Sequence, residues 1–414
     1  MSDERRAIEA LRAGVPNHAA IRLLGTIENE ISERFVENLQ FCQQRLKDGE
    51  QATGQVIAGG FGSGKSHLLG YLQELALNEN FLVSWVVISK ETPLFDIGKL
   101  FVSAIRNATV PNLNDDAMTA VLSKLRPKSD AYDELAQWAE GAEAKLSPLF
   151  PGLLHLFPHP NTNPERIQQM ARFFSGGKLS FANARQWLRE VGAVKLFPLK
   201  AIKQPDLIRQ RLRFVPRLIA AAGYSGWVLL LDEVELIGRY SVLQRGRSYA
   251  ELARWLGLDA EESVPGVLTV AAITDDFTSE VIGKRRDDEQ VPLKLANKNE
   301  RKTAERARLG IETLERKQLL LQTPNAALLE VSLNKIRGFY SDAYGWDVTA
   351  ADVGEITAAK SMRQYIKSWI TTWDLERLYD SRPVIETVDV APDYEENKDM
   401  ELVAELSGDD LEDE

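Results

Sequence analysis

Gly59-Gly60-Phe61-Gly62-Ser63-Gly64-Lys65-Ser66 is the stretch on which the fold turns. It satisfies G-x-x-x-x-G-K-[ST] in full. Glycines let the backbone curl so that successive N–H groups converge on one anion, and a helix starting at the loop points its positive end at the same place. In that pattern Lys65 reaches the β- and γ-phosphates of a nucleotide and the Ser66 hydroxyl ligates Mg²⁺. The pattern needs a strand before it and a helix after it. Gln55 to Ala58 reads as a short buried strand, and Ser66 to Leu77 carries a helical apolar stripe. Phe81 to Ser89, FLVSWVVIS, is apolar on both faces, as a central parallel strand is. A helix over Leu94 to Ile105 follows, so the opening order is that of a doubly wound α/β domain.

A second element supports the first. Val228-Leu229-Leu230-Leu231-Asp232-Glu233 is an apolar strand ending in two carboxylates, the form of a Walker B element. Asp232 is the candidate holder of Mg²⁺, and Glu233 the candidate general base that polarises the attacking water. The next strand, within Gly266 to Ile273, ends in Thr274-Asp275-Asp276. Thr274 is the first candidate to orient that water and Asp275 the second; a plain strand-end turn is the alternative. Lys284-Arg285-Arg286 offers Arg285 and Arg286 as candidates for an arginine finger reaching a neighbouring subunit, against a solvated basic turn. His67 follows the loop serine, within reach of the bound phosphates, and its ring reads as packing rather than catalysing.

Organisation follows from these anchors. Residues 1–50 are helical, broken at Gly14-Val15-Pro16; residues 51–109 and 200–285 form the α/β core; residues 110–199 read as a helical insertion between Pro- and Gly-rich breaks. The insertion accounts for the long spacing from Lys65 to Asp232 and leaves strand order open. Residues 286–385 read as a helical lid, with an apparently flexible stretch from Arg285 to Lys302 and a bundle from Ala326 to Tyr379. The net charge of −11 is concentrated in the terminus: from Asp393 to Glu414 there are eleven acidic residues against one lysine, leaving the body near neutral. Residues 386–414 therefore read as an acidic, disordered, solvating tail, or as a polyanion that screens a basic groove. Two basic segments, Lys200 to Arg217 and Lys294 to Arg308, are candidates for a nucleic-acid backbone, but without interleaved aromatics they read rather as solvated helix faces. The single Cys42 excludes an internal disulfide, and no apolar run approaches bilayer length, so a soluble cytoplasmic protein is expected.

Taken together, GGFGSGKSHLLGYL, VLLLDEVELI and the N-terminal ALRAGVPNHAAIRLLG resemble the P-loop ATP-binding proteins of BREX-type bacteriophage-defence systems, relatives of AAA+ and origin-recognition-like ATPases. The resemblance implies an α/β P-loop NTPase fold with a parallel sheet core, a helical insertion and a C-terminal helical lid. It implies that Gly14, Val15 and Pro16 line an adenine pocket. It also implies that Lys360 to Ile366 is a sensor helix whose Arg363 contacts the γ-phosphate. The expected activity is Mg²⁺-dependent ATP hydrolysis driving conformational change or assembly in a defence complex, with ATP and ADP, other defence proteins, DNA and further copies of the chain as candidate partners and no membrane. A slow or non-hydrolysing ATP switch that scaffolds assembly is the alternative.

Overall fold

The computed structural model describes residues 1–15, 17–113, 116–348, 360–380 and 394–397. The chain opens with helices α1 (Asp3–Ala13), α2 (His18–Leu24) and α3 (Asn29–Asp48), then enters strand β1 (Gln55–Ala58). Helix α4 (Lys65–Asn78), strand β2 (Leu82–Val87), helix α5 (Ile97–Arg106) and strand β3 (Ala108–Thr109) follow. Five helices, α6 (Ala117–Lys124), α7 (Asp130–Glu140), α8 (Leu149–Leu156), α9 (Pro164–Phe174) and α10 (Phe181–Glu190), lead to α11 (Gln204–Ala221) and strand β4 (Trp227–Asp232). Helix α12 (Val242–Trp255), strand β5 (Val267–Ile273), helices α13 (Asp287–Asn297) and α14 (Arg301–Arg316), strand β6 (Gln318–Leu320), α15 (Ala326–Tyr344) and α16 (Met362–Tyr379) complete the described elements.

The protein is α/β, and the described strands form one six-stranded sheet in the order β3-β2-β4-β5-β1-β6. Both faces are covered, and period-2 alternation assigns the side chains to them. On β4, Trp227, Leu229 and Leu231 join one core and Val228 and Leu230 the other. On β5, Val267, Ala271 and Ile273 face the first and Leu268, Val270 and Ala272 the second. Helices α3 and α4 cover the second core through Phe35, Leu39, Leu69 and Leu72. The sequence leads one to expect a parallel sheet, whereas β3 runs antiparallel to β2, so the sheet is mixed. Only Asn107 separates α5 from β3, and a chain with no loop in which to reverse continues in the helix direction.

The five helices of the insertion do not form a core of their own. Phe150, Phe173, Phe174 and Phe214 of α8, α9 and α11 pack ring to ring, in the same apolar cluster that reaches β4 and β5. The stretch from Arg285 to Lys302, expected to be flexible, contains α13 and the start of α14. Its charges hide a short apolar face, Val291 and Leu295, and a buried Asp287 that takes both Arg245 Nε and Nη2 at 2.8 Å and Tyr249 Oη at 2.8 Å. Residues 287–320, placed by the sequence with the lid, thus pack on α12 and supply the edge strand β6 beside β1. A third core joins α1 and α2 to α15 and α16 through Ile8, Leu11, Leu329, Ile336, Trp369 and Trp373. Arg12 ties the two chain ends by donating to Asp374 at 2.8 and 2.9 Å.

Helices α12 and α14 approach so closely that a Cβ on Gly310 would lie 2.2 Å from the Tyr249 carbonyl oxygen, a backbone atom that cannot rotate away. Gly310→Ala is expected to lower stability by about 1–3 kcal/mol, the range for overpacking a close contact, read as a drop in the thermal or urea unfolding midpoint.

Candidate functional site

At the C-terminal edge of the sheet the chain leaves β1 through Gly59 to Gly64 and enters α4 at Lys65. Gly62 and Gly64 have φ of +74° and +111°, where any residue with a Cβ is strained, and a Cβ on Gly59 would lie 2.6 Å from Ser63 Oγ. The loop is tied to β5 by Gly59 N donating to Ile273 O at 3.2 Å. Lys65 is buried beneath it and donates through Nζ to Gly59 O at 2.7 Å and Gly60 O at 3.2 Å. Burial pulls its ammonium below the ordinary lysine range, opposed by Glu235, Asp232, Asp275 and Asp276.

Strand β4 delivers Asp232 to the same edge. Ser66 Oγ donates to Asp232 Oδ2 at 2.9 Å across 166 positions of sequence, and Asp232 Oδ1 accepts from Glu233 N at 3.0 Å. Glu233 sits in the left-handed region, φ +55° and ψ +37°, a strained conformation that turns the chain sharply at the strand end and leaves this cavity-lining residue exposed as a whole. Burial first, then the charge of Asp232, raises its pKa.

Sequence reasoning missed Glu235. The turn after Glu233 returns its side chain to the cavity, where it is 8% exposed and its Oε2 has no hydrogen-bond partner among the described residues. Burial drives its pKa to about 7, against the pull of Lys65. The signal was local: a second acid two residues beyond Glu233 rejoins the same side of a tight turn.

The cavity above the loop is roofed by the third core. Gly14 and Val15 line it from the end of α1, and Arg363 and Met362 from the start of α16. Pro16 lies outside the described residues. Arg363 N donates to Gly62 O at 3.2 Å, and its guanidinium stands 5.1 Å from the centre of the Phe61 ring. Also lining it are the turn from Leu24 to Glu28 and, from α15, Lys335, which no local pattern announces; Lys335 Nζ donates to Leu24 O at 2.8 Å. His67 Nε2 donates to Gly25 O at 2.7 Å, so this ring fastens α4 to that turn, and burial lowers its pKa.

The remaining candidates stand further out. Thr274, at the end of β5, is 1% exposed and shares a 2.6 Å hydrogen bond with Tyr394 Oη. The Asp275 carboxylate faces Gly60, 3.9 Å from where a Cβ would stand. Arg285 donates to Gly238 O at 2.7 Å and to Tyr394 O. Arg286 is exposed, in a left-handed conformation, and pairs with Glu289. Neither arginine lines the cavity. In the basic segments Arg211 is buried and donates to Gly176 O and Gly177 O, Arg217 lies over Trp138, and Arg306 is held near Asp259 and Glu262. Lys200, Lys203 and Arg209 remain on the surface.

Fold and site together define an α/β protein with a glycine-rich loop at the edge of a mostly parallel sheet, a buried lysine beneath it and a strand-end carboxylate beside it. The chain belongs to the family of BREX system ATP-binding proteins BrxC/D, whose profile matches residues 1–130 and 199–402. It is therefore an ATP-binding component of a BREX defence system. Residues 131–198, between the two matched blocks, hold α8 to α10 and all of α7 but its first residue. No curated protein sequence matches the chain. Among the described residues no helix is long and apolar enough to cross a membrane.

The raised pKa of Glu235 gives the site a pH signature. Between pH 4.5, the ordinary glutamate value, and about 7, the folded chain holds a proton that the unfolded chain has lost, so stability falls as pH rises through this window. Glu235→Gln has no such proton to lose. Its stability relative to wild type is expected to grow from pH 5 to pH 8, by at most about 3 kcal/mol, in urea unfolding at the two pH values.

Proposed function

We propose that the chain is an Mg²⁺-dependent P-loop ATPase whose hydrolysis cycle drives conformational change or assembly in its defence complex. The observation that carries this reading is the 2.9 Å contact from Ser66 Oγ to Asp232 Oδ2, which joins the two elements the sequence singled out independently. The donor set suits a hard dication: a hydroxyl and a carboxylate oxygen together, with four carboxylates acting on a single ammonium nearby. The loop suits a polyphosphate, because Ser63 Oγ is buried without a partner among the described residues, and Gly62 and Gly64 take the positive φ values by which such a loop curls around an anion.

Ser66 and Asp232 are the residues that would hold Mg²⁺, which when bound neutralises phosphate charge. Lys65 exchanges the Gly59 and Gly60 carbonyls for phosphate oxygens, a better partner for an ammonium. Glu233 takes the proton of the attacking water. Its raised pKa makes it a stronger base than an ordinary glutamate, and its exposure leaves it open to water. Thr274, with Asp275 second, orients that water. Gly14 and Val15 contact the base, while Arg363 at the start of α16 contacts the γ-phosphate, so α1, α15 and α16 form a lid that senses the nucleotide. Arg285 or Arg286 serves a neighbouring copy as a finger once freed from its present partners. Surface cations such as Lys200 and Lys203 are what the body offers to DNA. A slow ATP switch is the second reading, favoured by one observation: the Thr274 hydroxyl is engaged by Tyr394.

Phosphate release by the purified protein, with and without DNA, separates the two. Glu233→Gln is expected to lower the rate by about 10²-fold or more while ATP binding, followed by a fluorescent analogue, persists. Lys65→Ala is expected to lose binding. If wild type releases no more phosphate than Glu233→Gln under any of these conditions, the hydrolytic reading fails and the switch stands.

A further inference from the structure

Within the terminus expected to be solvating, Tyr394 to Asn397 pack against the body beside the site. The Tyr394 ring stands edge-on to Phe277, with centres 6.1 Å apart and planes at 80°. It also covers Gly238, where a Cβ would approach Tyr394 Cδ1 to 3.3 Å. Its hydroxyl donates to Asp276 Oδ1 at 2.7 Å, so the 2.6 Å contact with Thr274 is made by the threonine proton. Arg285 donates to the Tyr394 carbonyl, Arg245 Nη1 donates to Glu396 Oε1 at 2.6 Å, and Asn397 N donates to Arg239 O at 3.1 Å.

These contacts read a specific sequence rather than diffuse charge. A ring with a hydroxyl, a backbone carbonyl and a carboxylate two residues later are each met by a group held from beneath. Arg245 is buried and held from within the body by Asp287 and by the Tyr240 carbonyl, to which its Nη1 donates at 2.7 Å. Arg285 is set by Gly238 O. Solvating tails need none of this, since their acids act by number.

The groove is built from the segments that carry the site. One wall is the turn that follows Asp232, Glu233 and Glu235; the other is the end of β5, Thr274 to Phe277. While Tyr394 is docked, the Thr274 proton is committed to it, and the Arg285 guanidinium spans Gly238 and the tail.

We propose that this groove is a docking site for a Tyr-x-Glu segment, that the chain's own residues 394–397 fill it, and that filling it restrains ATP hydrolysis by withholding Thr274 and Arg285. The restraint rests on the ATPase reading above; the docking does not.

The test uses the full chain carrying Tyr394→Ala and Glu396→Ala, whose own tail cannot fill the groove, and a fluorescent peptide of residues 391–400. The peptide is expected to bind this variant, with a rise in anisotropy. A tethered segment competes at an effective concentration of about 1 mM, so wild type should bind the peptide at least about tenfold more weakly. A peptide with alanine at the tyrosine position should bind neither. Equal binding to both proteins, or none to the variant, overturns the docking. Phosphate release by the variant should exceed that of wild type several-fold and fall again as peptide is added. A peptide that binds without changing this rate overturns the restraint. If neither protein exceeds Glu233→Gln, the ATPase reading falls and the restraint with it, while anisotropy still decides the docking.

Discussion

Ser66 can reach Asp232 only because β4 lies inside the sheet with both faces covered and its C-terminal end beside the start of α4. Five consecutive apolar residues, Trp227 to Leu231, leave β4 no face for water, so helices must lie on both sides of it. That requirement places α4 on one side and α11 and α12 on the other, with all the strand-to-helix turns of the parallel strands at one edge. The polar residues beneath the cavity hang from that edge: Lys65 and Ser66 after β1, Asp232, Glu233 and Glu235 after β4, Thr274 to Asp276 after β5. Remove the double burial and these residues have no common address.

The second constraint is electrostatic. A buried ammonium beside several carboxylates is costly to desolvate, and the chain meets that cost by shifting the groups toward their neutral forms. Here burial raises Glu235 and Glu233 and lowers Lys65, so each shift moves its group toward neutrality. Shifts of this kind relieve part of the cost of desolvation. The −11 net charge of the chain has no part in this. Its centre of gravity lies in the terminus, and one short piece of that terminus, Tyr394 to Asn397, is held by Arg245 and Arg285.

Much of the core was legible in the sequence because its signals are local. A glycine run with Lys65 and Ser66 needs no partner to be recognised, nor does an apolar run ending in Asp232 and Glu233, since backbone conformation and burial leave few residue types that fit. The N-terminal Gly14 and Val15 and the start of α16 at Arg363 came from resemblance, and the fold does set them over the cradle. Glu235 was readable but unread. Lys335 was not readable, because its place depends on α15 packing against α1 and α2 through the third core.

The sequence alone determined the glycine-rich loop between strand and helix, the strand-end carboxylates and the α/β plan, all consequences of periodicity and of what a sharply curled backbone accepts; the expected parallel sheet became a mixed one only in the fold. Only the tertiary structure decided which charges are spent inside the molecule and which face outward. Arg211 and Arg306, counted as candidates for a nucleic-acid face, are consumed by carbonyls and carboxylates that come from distant segments. Asp287, in a charged stretch that reads as flexible, is buried because Arg245 and Tyr249 of another helix meet it there. The same holds for Tyr394: a tyrosine among acids gives no local sign of docking, and its partners Thr274, Asp276, Phe277 and Arg285 lie more than a hundred positions earlier. A pairing energy between remote groups leaves no period and no spacing in the chain, so it becomes visible only when the fold has brought the partners together.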